Sequence, residues 1–395
     1  MHSQRIQRLE KDMILVKASM EQQGLNINLS LLEDLIISTA QEKENIANNL
    51  RKELGVKGTT NFNSSRDVSE SVLPLLGVKA QRTRTGRYTT SRQVLQGINH
   101  PIMQQISRYR DLEKQHSSFK SIHKATDKSK GKIFCHYTDD CPSGRLYSKG
   151  YNFQSFTQLS RSLVYPDKGC VFILVDYDSF ELKILSALSH DTYFKNCWSM
   201  GLDLHRKVVS DMKGIPYDSV TSAQRRTGKQ LNFGISYLQE PAGLAKNLNC
   251  SIYEAQELMA DYKAQIPEIE KFKEDVIAQA HQTGYSDTLW GRRRYLAYIN
   301  SHNTTERKKS ERQAVNHRIQ GAASDIVKQS LVNLHQSGLT INTMLHDAAL
   351  LTIPEDKVEQ SIKQVKEIME VSINDLKFTV TCRIGKTWSE CYENK

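Results

Sequence analysis

Two short apolar runs, each carrying an aspartate at its end or within it, constrain this chain more than any other feature. Residues 171–175 read Val-Phe-Ile-Leu-Val and lead into Asp176-Tyr177-Asp178-Ser179-Phe180-Glu181. Residues 343–353 read Thr-Met-Leu-His-Asp-Ala-Ala-Leu-Leu-Thr-Ile, so Asp347 lies inside a second strand-like stretch. A carboxylate at a strand end, projecting into a cleft, is the usual hard-oxygen anchor for Mg²⁺. Two of them can bridge a pair of ions about 3.5–4 Å apart, the device of phosphoryl-transfer enzymes.

Between the two acids, residues 225–237 read Arg-Arg-Thr-Gly-Lys-Gln-Leu-Asn-Phe-Gly-Ile-Ser-Tyr. Arg225, Lys229, Phe233 and Tyr237 recur every four residues. Each such step advances a helical face by only about 40°, so all four share one side of one helix. Cations at its start suit a triphosphate and rings at its end suit a stacked base. Alone, the pattern fits a solvated basic helix with an aromatic core stripe equally well. The flanking acids turn the reading toward nucleotide chemistry.

These segments, in this order, resemble the bacterial DNA polymerase I family, or family A. Asp-Tyr-Asp-Ser-Phe-Glu-Leu at 176–182 is similar to its motif A, residues 225–237 to motif B, and His346-Asp347 to motif C. Ser143-Gly144-Arg145-Leu146 and Asn152-Phe153-Gln154 resemble the segment before motif A. The Gly291–Leu296 stretch (Gly-Arg-Arg-Arg-Tyr-Leu), residues 311–316 and residues 320–325 resemble the run between motifs B and C, and Gly385-Lys386-Thr387-Trp388 the C-terminal stretch. The resemblance covers nearly the whole chain.

What it implies is an α+β right-hand polymerase fold: a palm of antiparallel sheet plus helices, helical fingers and a helical thumb. The expected division is a palm-entry helix at 1–24, thumb at 25–120, first palm part at 121–185, fingers at 186–285 and second palm part at 286–395. Asp176, Asp347 and the Tyr177 carbonyl would hold two Mg²⁺ ions, replaceable by Mn²⁺. Arg225 and Lys229 would clamp the phosphates of a dNTP, with His205 as a further contact and Lys229 also counted as catalytic. Phe233 and Tyr237 would form the nucleotide pocket, Phe233 implying discrimination against dideoxynucleotides. Glu181 would pack under the sugar and exclude a 2′-hydroxyl. Primer-template DNA would be met by Arg145, Asn152, Gln154, Arg312, Asn316, Gln320 and His346, and in the thumb by Arg110 and Lys114. Arg312, Asn316 and Gln320 repeat the four-residue spacing opposite Val315, Ile319, Ala323 and Ile326. Donors on such a face can check minor-groove acceptors, which look alike in either pair orientation.

The chain departs from the family pattern at four places. Leu238 follows Tyr237 where Gly is usual, Ala348 follows Asp347 where Glu is usual, Lys183 replaces an Arg, and Asp178 stands where a small polar residue is common. Asp178 is expected to be a solvated acid rather than a third metal ligand.

Composition agrees without selecting a function. The 395 residues carry 54 Lys plus Arg against 44 Asp plus Glu, a net charge of +10. That balance suits a phosphate backbone, and equally many RNA-binding proteins. Seven cysteines, an odd number, show no disulfide framework. Cys135-His136 with Cys141 lacks a second matching pair for zinc, which favours free thiols. The N-terminal residues carry charges where a signal peptide needs an apolar core, and no segment is apolar enough to span a bilayer. The expected setting is the cytoplasm, bacterial or that of a host if the gene is viral or plasmid-borne.

Residues 5–48 read as two amphipathic helices broken at 24–30, residues 79–88 as an exposed basic loop with Arg82, Arg84 and Arg87, and 120–132 as a mobile Lys/Ser-rich crossing. The thumb pattern uses most of the residues before the palm strands, so no nuclease domain is expected on the chain. A separate exonuclease or other replication proteins are the expected partners. Two further readings compete with a polymerase for replication or gap-filling repair. One is a catalytically impaired polymerase fold serving as a DNA-binding replisome scaffold, favoured by Ala348 and Leu238. The other is a single-subunit RNA polymerase or reverse transcriptase, opposed by Glu181.

Overall fold

The computed structural model describes residues 2–83 and 85–393. A four-stranded antiparallel sheet lies at the centre, in the order Thr340–Leu345, Ala348–Pro354, Cys170–Tyr177, Val380–Gly385. The helices Gln4–Gln23, Ala322–Gln336 and Val358–Met369 pack against these strands. Phe172, Ile173, Leu174 and Val175 are all buried, which is why the run at 171–175 is continuously apolar rather than alternating. Leu350 faces Leu174 and Ala348 faces Asp176 across the ladder. This register puts Asp176 one residue away from Asp347 across the ladder.

From Phe180–Ser189 through Pro267–Thr283 the chain forms seven α-helices. Asp191 and Asp203 cap two of them, accepting from the backbone N–H groups of Phe194 and Arg206, and Ser251 with Glu254 forms a capping box on a third. This block is the helical region expected as fingers.

The helices Leu29–Leu54 and Pro101–Ala125 run together as an arm. Its tip has a separate core in which Leu50, Phe62, Val72, Ile106 and Tyr109 are buried. Ser64 caps Ser65–Asp67, its hydroxyl accepting from the Asp67 backbone N–H. Strand Leu25–Ile27 pairs with Lys132–Ile133 and Val164–Tyr165, so the arm proper begins at Leu29 and that strand belongs to the palm edge. The expected mobile crossing at 120–132 is instead ordered structure. The arm helix continues to Ala125 because Phe119 and Ile122 are buried, and Thr126–Asp127 then pairs with Lys132–Ile133. The basic loop is a short hairpin, Gln81–Arg82 with Tyr88–Thr89, where the Arg82 guanidinium lies 3.8 Å from the Tyr88 ring centroid. Arg84 lies outside the described residues.

Candidate active site

The strand Cys170–Tyr177 ends one residue past Asp176, and Ser179, at φ 52°, swings the chain into the helix Phe180–Ser189. On the adjacent strands the connection is only His346 and Asp347, between the paired residues Leu345 and Ala348. His346 takes φ 54°, a left-handed conformation that costs a non-glycine residue about 1 kcal/mol or more. Because Ala348 stands opposite Asp176, this tight turn sets Asp347 beside Asp176. Burial, then the charge of Asp347, push the Asp176 carboxyl above its ordinary range, while Arg383 draws it down. Burial likewise raises Asp347, opposed by Arg145 and His346. Two desolvated like charges side by side are costly, and a bound cation would relieve that cost.

Tyr177 contributes no side chain to this cleft. Its ring stacks on Phe180 at 4.2 Å between centroids, and its hydroxyl donates to the Met369 carbonyl at 2.7 Å. That leaves its backbone as the available donor. Asp178 corrects the expectation of a solvated acid. Its two oxygens accept from Thr381 at 2.7 Å and Thr379 at 2.9 Å, and Lys183 donates to Thr379 at 3.1 Å. Glu181, nearly buried, is paired with Arg145.

On the other wall, the helix Ser222–Ser236 lies against Leu204–Lys213. Gly228 makes this approach possible: a Cβ there would sit 2.1 Å from the His205 carbonyl oxygen. Arg225 is held by Asp203 through two contacts of 3.0 and 2.6 Å, and the Lys229 ammonium lies 5.9 Å from the Phe233 ring centroid. His205 is fixed from behind. Asn232 donates to its Nδ1 at 2.6 Å and accepts from Tyr262 at 2.6 Å. Burial lowers the His205 pKa to about 4. The ring is therefore neutral, and with Nδ1 accepting from Asn232 its proton sits on Nε2. Asn232 and Tyr262, both fully buried, were not singled out from sequence. Neither was Arg383, and the only signal for it was its place in the strand beside motif A.

The expected duplex contacts divide. Arg110 is turned into the arm, each of its three nitrogens making a hydrogen bond there. Nε donates to the Phe62 carbonyl at 2.8 Å, Nη1 to the Thr90 carbonyl at 2.6 Å and Nη2 to the Thr90 hydroxyl at 2.9 Å. Lys114 is exposed. Gln154 donates to the Leu146 backbone carbonyl at 3.3 Å, and the Asn152 side-chain Oδ1 caps the turn Phe153–Ser155 by accepting from the Gln154 backbone N–H at 2.9 Å. Arg312 and Asn316 lie on the helix Thr304–Asn316, but Gln320 falls in a π-helical turn, His317–Gly321, which alters the phase of the four-residue spacing. Val315, Ile319, Ala323 and Ile326 are buried as expected. Among the described residues the Asn316 side-chain oxygen and the Tyr237 hydroxyl, both buried, find no hydrogen-bond partner. Tyr237 and Arg312 line a cleft of about 550 Å³ together with Gln239, Glu240, Thr304 and Lys308.

A sheet bearing paired acids, a helical block presenting cations and rings, and a helical arm together make up the right-hand fold of polymerases. The solved POL domain of Pol1 from M. smegmatis, in complex with DNA primer-template and dNTP, superposes with a TM-score of 0.88 at 26% identity, over 97% of this chain and 70% of that one. The profile of DNA polymerase family A matches residues 30–390, and the chain belongs to that family. It is 29% identical to DNA polymerase I of Geobacillus stearothermophilus, over 96% of this chain and 45% of that protein. It is likewise 29% identical to the thermostable DNA polymerase I of Thermus aquaticus, over 98% and 48%. The chain thus spans about half the length of the curated relatives it matches.

Proposed function

We propose that this chain is a template-directed DNA polymerase that adds dNTPs to the 3′-hydroxyl of a primer, acting in replication or gap-filling repair in the cytoplasm. The observation that supports this most is the meeting of Asp176 and Asp347 at the end of one sheet. Two Mg²⁺ ions, or Mn²⁺, held by these carboxylates and the Tyr177 carbonyl would neutralise the triphosphate and make the 3′-hydroxyl more acidic. The donor set fits that metal. Mg²⁺ is commonly held by one or two carboxylates plus substrate phosphate and water, and Asp176 and Asp347 supply two carboxylates at one sheet end.

The remaining work is positioning. Arg225 exchanges Asp203 for phosphate oxygens, since its planar fork suits either partner. Lys229 adds a second charge and His205 a neutral donor. Phe233 and Tyr237 present ring faces to the base. Glu181 fills the space beneath the sugar. Arg312, Asn316 and Gln320 offer donors to the minor groove.

Primer extension with Mg²⁺, beside Asp176→Ala and Asp347→Ala, tests the reading. Template-directed dNTP addition by wild type, lost in both variants, is the expected result. DNA binding without extension by wild type would overturn it and favour a scaffold.

A further inference from the structure

Glu181 and Arg145 form an ion pair at the rim of the metal site. The Glu181 side chain is 14% exposed and that of Arg145 25%, so neither is free to leave without moving its neighbours. Burial and the charge of Asp347 both disfavour an ionised Glu181, and Arg145 opposes them. Arg145 is itself held by its loop. Gly144 has φ 76°, and a Cβ on it would lie 2.5 Å from Arg292 Nε, so the backbone just before Arg145 is seated on a buried guanidinium. The Tyr237 hydroxyl finds no hydrogen-bond partner among the described residues, so it is not what holds Glu181. Arg145 is.

We propose that Arg145 is a positioning residue for sugar selection: its guanidinium holds the Glu181 carboxylate in the space under the incoming sugar, so discrimination against ribonucleotides runs through this pair. The inference rests on the polymerase reading above. It assigns Arg145 a task different from contact with duplex DNA, and the two tasks have different kinetic signatures. Loss of a duplex contact lowers kcat/KM for a dNTP and its ribonucleotide alike and cancels in their ratio. Loss of the hold on Glu181 changes the ratio itself.

The test is single-nucleotide extension of a primer-template by the full chain with Mg²⁺, each dNTP beside its ribonucleotide. Wild type, Arg145→Gln, Arg145→Lys, Glu181→Ala and the double variant Arg145→Gln/Glu181→Ala are compared. In Arg145→Gln the dNTP-to-rNTP ratio of kcat/KM is expected to fall roughly tenfold or more, within the range one pocket contact commands. Arg145→Lys should lose less, keeping the charge but not the planar fork. In the Glu181→Ala background the Arg145 change should move the ratio by less than about twofold, because residues that act as one unit do not add. Thermal melting confirms folding, and if Arg145→Gln does not fold, Arg145→Lys carries the comparison. An unchanged ratio with slower dNTP addition would overturn the proposal in favour of a duplex contact. An equal further loss on top of Glu181→Ala would also overturn it, since Arg145 would then act by another route. Wild type that extends and discriminates independently of Arg145 sinks only this inference. Wild type that binds DNA and does not extend sinks the polymerase reading with it.

Discussion

At Leu238 a side chain and a backbone angle pull in opposite directions. The residue has φ 53°, which Gly adopts freely and which costs other residues about 1–2 kcal/mol, yet its side chain packs against the main core. Replacing it by Ala removes the packing and keeps the strain, whereas Gly removes both. Leu238→Gly should therefore be more stable than Leu238→Ala by about 1 kcal/mol, the reverse of the usual order of these residues, as read by urea denaturation. Equal midpoints would show that the angle carries no strain. The missing Gly was visible in the sequence, but the angle was not, because it depends on the helix stopping at Ser236. Arg110, Asn152 and Gln154 show the same limit. A motif fixes which residue stands at a position, and the fold decides what has already claimed its hydrogen bonds. His317 gives a pH-dependent case. It is buried, its Nε2 bonds to the Arg292 carbonyl at 2.9 Å, and burial lowers its pKa to about 4. An unfolded histidine titrates near 6.5, so between about pH 6.5 and 4 the unfolded chain binds more protons there. The stability owed to a neutral His317 is complete above that window and is lost as pH falls through it. The gap in Tm between wild type and His317→Gln should narrow from about pH 7.5 to about pH 5, and a constant gap would contradict a neutral buried ring.

Among the elements, the helix Ser222–Ser236 shows how much of the site one periodic segment can announce. Helical geometry places Arg225, Lys229 and Phe233 of its four-residue pattern on the helix, while Tyr237 falls one residue past its end. The seating of the helix needed a neighbour the pattern does not name. Gly228 in mid-helix looks like a weakness, since Ala there ordinarily stabilises a helix by about 1 kcal/mol. Here the added methyl would meet the His205 carbonyl at 2.1 Å, and backbone cannot turn aside as a side chain can. Gly228→Ala should therefore destabilise by about 1–3 kcal/mol and raise the KM for dNTPs, because Lys229 moves with the helix. Thermal unfolding and steady-state extension report the two effects. Wild-type stability in the variant would mean that the two helices lie farther apart than described. The π turn His317–Gly321 was missed for a related reason. A helical stripe of Val315, Ile319, Ala323 and Ile326 looks the same with or without one wide turn, and the turn is set by what packs around it: a Cβ on Gly321 would lie 2.6 Å from Thr288.

For the molecule as a whole, the N-terminal helix is tied to the palm by charges that no local pattern reveals. Glu10 accepts from Lys328 at 2.7 and 2.9 Å and also pairs with Arg292, whose Nε donates to Asp325 at 2.6 Å. Asp139 joins the group, 3.7 Å from Lys328 and 3.3 Å from Lys17. Read from sequence, residue 10 is one polar position on an amphipathic helix, and its partners lie more than 280 residues away along the chain. Three cations and three carboxylates balance in this group, so removing one carboxylate leaves an ammonium or guanidinium short of a partner. Side-chain exposure is 2% for Lys328 and 6% for Arg292, but 25% for Glu10, so solvent reaches the acid and softens the loss. A fully buried pair broken on one side loses about 3–5 kcal/mol; Glu10→Gln should lose about 2. Removing the stranded ammonium as well, in Glu10→Gln/Lys328→Met, should recover part of that loss, because an apolar side chain of similar length has no charge to desolvate. Urea unfolding of the three chains decides the matter. If Glu10→Gln loses less than about 0.5 kcal/mol, or the double variant is less stable than the single, the N-terminal helix is held by its buried Ile6, Leu9, Met13 and Val16 alone, and the charges merely accompany it.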